Sequence, residues 1–321
     1  MKKPLILIVS PALADANNGN WQTAWRWSRL LHPVCRTTIA SAWPVGHGDE
    51  FDVLLALHAR KSADSALAWA AAHGGQRLAV VLTGTDLYRD IQTDARAQQV
   101  LQLAGQLVVL QEQGPLALPE VLRPKTRVIF QSAPRRATQV KTDRHLRALM
   151  VGHLRDEKDP LTYLRATHRL LARSDIVLDH IGAILDPALG QAAQDMAARH
   201  PHYRWLGGLS HAATRAHIQR AHVLVHPSKM EGGAHVILEA VQSGTPVLAS
   251  RIDGNVGMLG PDYAGYFALG DDAALDALLQ RCRDDAAYLA LLRMQCAARA
   301  PLFEPQREQR LLRQLITTMT A

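Results

Sequence analysis

Short apolar runs alternate with helical patterns along the whole 321-residue chain. Such runs are typical of strands buried on both faces, and apolar residues recurring every three or four positions are typical of helices. The strands predicted in this way cover 5–9, 52–57, 78–82, 107–110, 127–130, 146–151, 176–181, 203–206, 221–225 and 246–249. Because strands and helices alternate, the pattern predicts an α/β protein built on parallel sheets.

Helical patterns fill most of the segments between these strands. They predict helices over 21–31, 65–72, 161–173, 191–199, 213–220, 237–241, 273–282, 286–300 and 305–319, with a further helix beginning near Leu87. The last of them places Leu311, Leu312, Leu315 and Ile316 on one face. It follows the complete set of elements of the second half, so we expect it to pack back on the first half.

A polar segment at 131–141, with a proline and several basic residues, separates the two halves and is typical of a linker. The chain is long enough for two domains with a core each. We predict an N-terminal domain over 1–133, completed by the helix at 305–321, and a C-terminal domain over 142–304.

Composition narrows the class of function. The net charge of +7 favours anionic ligands, but no dense run of Lys and Arg interleaved with aromatic residues predicts binding to nucleic acid. Three scattered cysteines without CxxC spacing favour reduced thiols in the cytoplasm and argue against a zinc site. No apolar stretch is long enough to cross a membrane. The basic, apolar N-terminus could pass for a signal peptide, but Pro11 interrupts it, and we predict a buried strand there.

The most informative stretch is 227–246, where Glu231 and Glu239 stand eight positions apart. Gly232 and Gly233 bring bare backbone amides to the start of a predicted helix, where an anion is stabilised. Carboxylates beside such a position suit hydroxyl groups rather than phosphate. The stretch therefore predicts a pocket for a ligand that is both a phosphate ester and a polyol, as a sugar nucleotide is.

Other candidate residues follow the predicted strands, where the binding residues of open α/β sheets gather. They are Asn18, Gly19 and Asn20 after the first strand, His58 and Arg60 after the second, Thr83, Thr85, Asp86 and Arg89 after the third, and Arg155 and Lys158 after the strand at 146–151. Each has a structural alternative. His58 could instead be a hydrogen-bonded structural histidine, and Asp86 could be a helix N-cap. Arg155 and Lys158 could simply belong to a solvated loop.

Two segments resemble the retaining GT-B glycosyltransferases that use nucleotide sugars. PSKMEGGAHVILEAVQSGTPVLASRIDGN is similar to the donor-site signature of that family, and VGHLRDEKDP is similar to its diphosphate loop. The resemblance implies a GT-B fold, in which two Rossmann-like domains face each other across a cleft and a C-terminal helix crosses back to the N-domain. It also implies an acceptor-side N-domain, a donor-binding C-domain, and no metal or other cofactor.

The resemblance further implies roles for individual residues. Glu239 would hold the ribose of the nucleotide, Glu231 would hold the donor sugar, and Lys158 would neutralise the leaving diphosphate. The implied catalytic residues are Lys158, Arg155, Glu231 and His58. The implied donor-binding residues are Gly19, Asn20, His153, Gly233, Ala234, His235, Val236 and Glu239. The implied acceptor-binding residues are Asn18, Arg60, Thr83, Thr85, Asp86 and Arg89.

Two positions depart from the family pattern. His153 stands where an arginine is usual, and we expect Arg155 to reach the same phosphates. Thr83 stands where many members have a histidine, which His58 could replace from the neighbouring strand; an anionic nucleophile needs no general base.

The segments NNGNWQTAWRW, LHARKSA and LTGTDLYRD resemble one subgroup, the selenosugar synthases of selenoneine biosynthesis. That subgroup uses selenophosphate as the nucleophile and a UDP-sugar, such as UDP-N-acetylglucosamine, as the donor, so transfer of N-acetylglucosamine or glucose is implied. Two alternatives stay open. The acceptor could be another small molecule, a lipid or a polysaccharide, or the protein could bind a UDP-sugar without catalysis.

Overall fold

The computed structural model describes residues 3–13, 19–44 and 51–321. Within them lie two six-stranded sheets in which every neighbouring pair of strands is parallel. The central strands are buried over their full length because helices cover both faces, which is why they are continuously apolar in sequence. The predicted α/β class with two parallel sheets is confirmed.

The N-terminal unit comprises Met1–Ser132, Glu231–Gly233 and Leu302–Ala321. Its sheet has the order β2-β1-β3-β4-β5-β6. The strands are β1 (Leu5–Val9), β2 (Arg36–Ala40), β3 (Val53–Leu57), β4 (Leu78–Leu82), β5 (Gln106–Val109) and β6 (Thr126–Val128), and the helices are α1 (Gly19–Leu31), α2 (Ala63–His73), α3 (Ile91–Thr93), α4 (Ala95–Leu103) and α12 (Pro305–Thr320). Two clusters of buried apolar residues, one on each face of the sheet, form its core.

The C-terminal unit comprises Ala133–Met230 and Ala234–Pro301. Its sheet has the order β12-β11-β10-β7-β8-β9, the order of a doubly wound nucleotide-binding fold. The strands are β7 (Leu146–Val151), β8 (Ile176–Ile181), β9 (Tyr203–Trp205), β10 (Val223–His226), β11 (Val247–Ser250) and β12 (Tyr266–Phe267), and the helices are α5 (Pro160–Arg169), α6 (Pro187–Arg199), α7 (His211–Arg220), α8 (His235–Val241), α9 (Asp253–Leu259), α10 (Asp272–Asp284) and α11 (Ala286–Arg299). Across the described ranges, no helix combines the length and apolarity that a bilayer span requires.

Several elements differ from the sequence-based prediction, each for a local reason. The edge strands β2 and β12 are not predicted, because an edge strand needs no continuous apolar run; β2 is exposed or half-buried throughout. Helix α6 begins four residues earlier than predicted, because the Asp186 carboxylate caps it by accepting hydrogen bonds from the amides of Ala188 and Leu189 at 2.8 and 3.2 Å. Helices α4 and α9 are also missing from the prediction.

Helix α12 packs against α1 of the N-terminal unit, as the amphipathic pattern predicts. Glu308 lies fully buried in this interface. Its carboxylate accepts hydrogen bonds from Trp27 Nε1 at 2.7 Å and Ser132 Oγ at 2.5 Å, and Arg26 Nε lies 3.2 Å away. A buried charge is tolerated only when it is paired and hydrogen-bonded, so this cluster fixes the position of the helix.

We expect Glu308→Ala to lower the free energy of unfolding of the N-terminal unit by about 3 kcal/mol, because Arg26, Trp27 and Ser132 lose the buried carboxylate that they pair with or donate to. Urea unfolding followed by tryptophan fluorescence, to which Trp27 contributes, measures the change. Glu304→Ala is the control, since Glu304 is exposed and its side chain makes no capping bond. Equal urea midpoints for the two variants would contradict the role of Glu308.

Candidate functional site

The sheet of the C-terminal unit points to a ligand position. The chain order reverses between the neighbouring strands β7 and β10, and ligands of doubly wound sheets bind beyond the carboxyl ends of the strands at such a switch point. The loops that leave these two ends contain Lys158 and Glu231. Lys158 and Glu231, which are predicted as site residues from separate sequence segments, therefore follow neighbouring strands.

The loop after β7 is compact and holds Lys158 close to the strand end. A Cβ placed on Gly152 would lie 3.4 Å from the Cβ and Cγ atoms of Lys158, so the lysine stem packs on the glycine. Asp159 has the left-handed value φ +45°, and its carboxylate accepts a hydrogen bond from Thr162 Oγ1 at 2.6 Å. This turn directly precedes α5, which begins at Pro160.

The other polar residues of the loop are arranged around this turn. Arg155 is exposed, and its Nε lies 3.9 Å from the Glu157 carboxylate. His153 is also exposed, and its Nδ1 accepts a hydrogen bond from the amide of Ala183 at 3.1 Å. Desolvation of the ring, followed by the positive charges of Arg155 and Lys158, lowers the pKa of His153. His153 therefore supplies a neutral N–H at neutral pH where the family resemblance leads us to expect a positive charge.

The loops after β7 and β10 are tied to each other. The amide of Lys229 donates to the carbonyl of Glu157 at 2.9 Å, and its ammonium group pairs with Asp156. Lys229 thus offsets an acidic neighbour of Lys158, although it lies 73 positions from Asp156 in sequence.

Glu239 lies in α8, buried and surrounded by nitrogen-bearing side chains. Its Oε1 lies 2.5 Å from His211 Nε2, 3.4 Å from His235 Nδ1 and 3.7 Å from Arg215 Nη1. Burial alone would raise the pKa of Glu239, but the hydrogen bonds and charges of His211 and His235 outweigh burial and lower it to about 2. The carboxylate is therefore ionised at neutral pH and can only accept hydrogen bonds.

Arg215 and His211 belong to the site but are absent from the sequence-based list. Arg215 is 4% exposed, and its Nη2 donates to the carbonyl of Pro134 at 3.0 Å. Burial lowers the pKa of Arg215, while Glu239 acts in the opposite direction. The two residues stand four positions apart in a helical segment, so they share one face of α7. The four-residue spacing is visible in the sequence and places both side chains on one face of α7. Sequence alone does not indicate that this face lies against Glu239 in α8.

The glycine pair before α8 makes close backbone contacts within the N-terminal unit, to which Glu231–Gly233 belongs. A Cβ on Gly232 would lie 2.4 Å from the carbonyl carbon and oxygen of Thr83, so only glycine fits there. Glu231 is half-buried beside it. Ala234, itself buried, precedes α8, and Val236 is half-buried in its first turn.

In the N-terminal unit, Asp86 organises the loops that follow β3 and β4. It is fully buried, and its carboxylate accepts hydrogen bonds from the amides of Ala59, Thr83 and Gly84 at 2.9, 2.8 and 2.9 Å. It lies at the start of a π-helical turn, Asp86–Asp90, and caps the preceding loop rather than the helix predicted near Leu87. Its contact with an acceptor stays a prediction.

His58 is buried beside the same loops, with the left-handed value φ +72°. Its Nδ1 accepts a hydrogen bond from the amide of Lys61 at 3.3 Å, so in the neutral ring the proton lies on Nε2, which donates to Thr85 Oγ1 at 3.1 Å. Burial lowers the pKa of His58, although Asp86 acts in the opposite direction. These contacts suit the structural alternative, and a catalytic role for His58 stays a prediction.

The two arginines predicted for the acceptor converge on Asp90, a buried residue that is not among the sequence-based candidates. Arg89 Nε lies 3.1 Å from the Asp90 carboxylate and Arg60 Nη1 lies 3.8 Å from it. Arg60 Nε also lies 3.2 Å from Asp94. The structure therefore brings His58, Arg60, Thr85 and Arg89 together, with aspartates that offset part of the positive charge.

The remaining predicted residues lie near the first strand. Gly19 and Asn20 begin α1, where the carbonyl of Gly19 accepts a hydrogen bond from Thr23 Oγ1 at 2.7 Å. Asn18 lies outside the described residues. Among the residues that are described, no group of three or more His, Cys, Asp or Glu side chains has the arrangement of a metal site.

Comparisons with known proteins agree with this architecture. Residues 133–297, slightly more than half of the chain, match the profile of the family described as glycosyl transferases group 1. No curated protein matches the chain.

Solved structures match most or nearly all of the chain. Sucrose-phosphate synthase from Thermosynechococcus elongatus is 18% identical with a TM-score of 0.78, covering 99% of each chain. Anabaena HepE in complex with UDP-glucose is 14% identical with a TM-score of 0.76, covering 98% of this chain and 99% of that one. The pneumococcal O-GlcNAc transferase GtfA in complex with UDP and GlcNAc is 15% identical with a TM-score of 0.63, covering 84% of this chain and 57% of that one. These similarities confirm the predicted GT-B fold.

Proposed function

Because the chain belongs to the group 1 glycosyl transferases, we propose that it transfers a sugar from a UDP-sugar to selenophosphate and thereby forms a selenosugar. One observation carries the donor half of this proposal: the buried, ionised Glu239, an acceptor-only group in the unit whose switch point also holds Lys158. The UDP and UDP-glucose in the HepE structures are consistent with such a donor. The transferred sugar is N-acetylglucosamine or glucose.

In this proposal, the C-terminal unit binds the nucleotide of the donor. Glu239 accepts hydrogen bonds from the ribose hydroxyls, and Lys158 and Arg155 face the diphosphate. Glu231, with the backbone from Gly233 to Val236, holds the sugar. A short loop that keeps a lysine stem packed on Gly152 supports this assignment, because a preorganised cation stabilises developing charge without having to move.

The proposed reaction breaks the bond between the anomeric carbon and the diphosphate oxygen and forms a bond from that carbon to selenium. The electron pair of the broken bond leaves on the diphosphate, where Lys158 and Arg155 offset its charge. Selenophosphate is already an anion, so no side chain has to remove a proton from it. We assign no metal or other cofactor to this mechanism.

The acceptor assignment rests on the resemblance of three N-terminal segments to the selenosugar synthases. It places the acceptor in the N-terminal unit, near Thr83, Thr85, Arg60 and Arg89. The grouping of the two arginines at Asp90 supports a site for a small anion with a modest net charge, since Asp90 and Asp94 offset part of theirs. We place the reaction in the cytoplasm, because the three cysteines are free and buried.

The proposal is tested by mass analysis of reactions that contain the protein, selenophosphate and either UDP-N-acetylglucosamine or UDP-glucose. We expect release of UDP and a product that carries the selenium isotope pattern together with the mass of the sugar, with the phosphoryl group of selenophosphate either retained on selenium or released as phosphate by water. UDP release only with lipid or polysaccharide acceptors would overturn the selenophosphate assignment. UDP binding without UDP release under any acceptor would identify a binding protein without catalysis.

A further inference from the structure

The Glu239 carboxylate is held by side chains of two different helices. His235 lies one turn before it in α8, and His211 and Arg215 reach it from α7. Since an ionised carboxylate can only accept, the His211 Nε2–H donates to Oε1 across 2.5 Å. This is a directional bond between one helix and the other.

The three partners of Glu239 differ in how they constrain the orientation of its carboxylate. His235 belongs to the same helix as Glu239 and moves with it. Arg215 is anchored by the carbonyl of Pro134, and its Nη1 lies 3.7 Å from Oε1, beyond hydrogen-bond distance. His211 therefore supplies the directional contact from α7 that sets how the carboxylate is turned.

The position of His211 is itself fixed, although the side chain is 58% exposed. It is the first residue of α7, and Ser210 caps that helix by accepting a hydrogen bond from the amide of Ala213 at 3.3 Å. An exposed imidazole on a fixed helix end lies on the solvent side of a carboxylate that is otherwise buried. A ligand that approaches Glu239 from solvent arrives beside this imidazole.

We infer that His211 is a positioning residue that orients Glu239, and that through it the site selects ribonucleoside over deoxyribonucleoside diphosphates. The inference rests on the proposed function, in which Glu239 holds the ribose. A carboxylate in one fixed orientation accepts from both ribose hydroxyls, whereas a deoxyribose leaves part of its accepting capacity unsatisfied in a buried place, which is costly. A carboxylate that is free to rotate can find another donor, so the missing hydroxyl costs less and the preference for the ribonucleotide is smaller.

The test is titration calorimetry of the full chain with UDP and with 2′-deoxy-UDP. We expect the wild type to prefer UDP, and His211→Ala to weaken UDP binding about tenfold, the effect of one hydrogen bond to a charged group. Binding of 2′-deoxy-UDP should change less than about twofold, so the preference collapses. His211→Gln retains an N–H donor and should recover most of the preference.

His217→Ala is the matched control, because His217 lies in the same helix and its charged neighbours do not include Glu239. It should bind both ligands as the wild type does. Wild-type UDP binding with an unchanged preference in His211→Ala would overturn the inference and leave the proposed function intact. Failure of the wild type to bind UDP would overturn the proposed function and this inference with it.

Discussion

Turnover of a UDP-sugar by Lys158→Ala is expected to fall about a thousandfold, because a preorganised cation at the leaving group contributes on this scale. The ammonium group is held by a lysine stem that packs on Gly152, in a loop closed by the left-handed turn at Asp159. The Lys158 side chain is therefore already positioned for the negative charge that develops on the diphosphate as its bond to the sugar breaks. UDP affinity should change much less than turnover, and single-turnover assays beside UDP titrations measure the difference.

Lys229→Ala is the matched control for that variant. It removes a lysine from the neighbouring loop after β10, whose ammonium group pairs with Asp156. We expect it to keep turnover within about threefold of the wild type, since exposed ion pairs contribute little. If Lys158→Ala and Lys229→Ala lower turnover equally, Lys158 has no specific role in the reaction.

Replacing Glu239 by glutamine should weaken UDP binding at least about a hundredfold, because one ribose hydroxyl loses its acceptor and the other loses the charge that strengthens its hydrogen bond. Glutamine has nearly the same shape, but one of its two terminal atoms donates where the carboxylate accepts, and it leaves His211, His235 and Arg215 without their shared anion. Titration calorimetry measures the affinity. Circular dichroism and thermal unfolding show whether the unit stays folded.

Glu120→Gln is the control for Glu239→Gln, since its carboxylate is 88% exposed and belongs to the other unit. It should bind UDP as the wild type does. A folded Glu239→Gln variant with wild-type affinity for UDP would remove Glu239 from the donor site.

The pattern of apolar residues predicts the interior of this fold better than its edges. Strands such as β3 and β4 are buried on both faces and read as continuous apolar runs. The edge strand β2 has an arginine and two threonines among its five residues. It is a strand because it pairs with β1, and this pairing requires no continuous apolar run in the sequence. The sequence predicts helix α12 from its apolar face, but it gives no sign that the charged Glu308 points into that interface.

The same division holds for the candidate site. The spacing of Glu231 and Glu239 and the loop around Lys158 are local in sequence, and they can be found by inspection. The partners that set the chemistry are distant in sequence: His211 lies 28 positions from Glu239, and Asp90 gathers arginines from two loops. Although burial acts in the opposite direction, His211, which only the fold brings near, and His235, one turn away in the same helix, lower the pKa of Glu239 to about 2.

Titration of the full-length wild-type protein with UDP tests the central claim most directly. We expect one saturable site with a dissociation constant at or below the millimolar range, corresponding to at least about 4 kcal/mol of binding free energy. The heat of binding should disappear in Glu239→Gln under the same conditions. Absence of binding to the wild type at millimolar UDP, or equal binding by the wild type and a folded Glu239→Gln variant, would contradict the assignment of a UDP-sugar site.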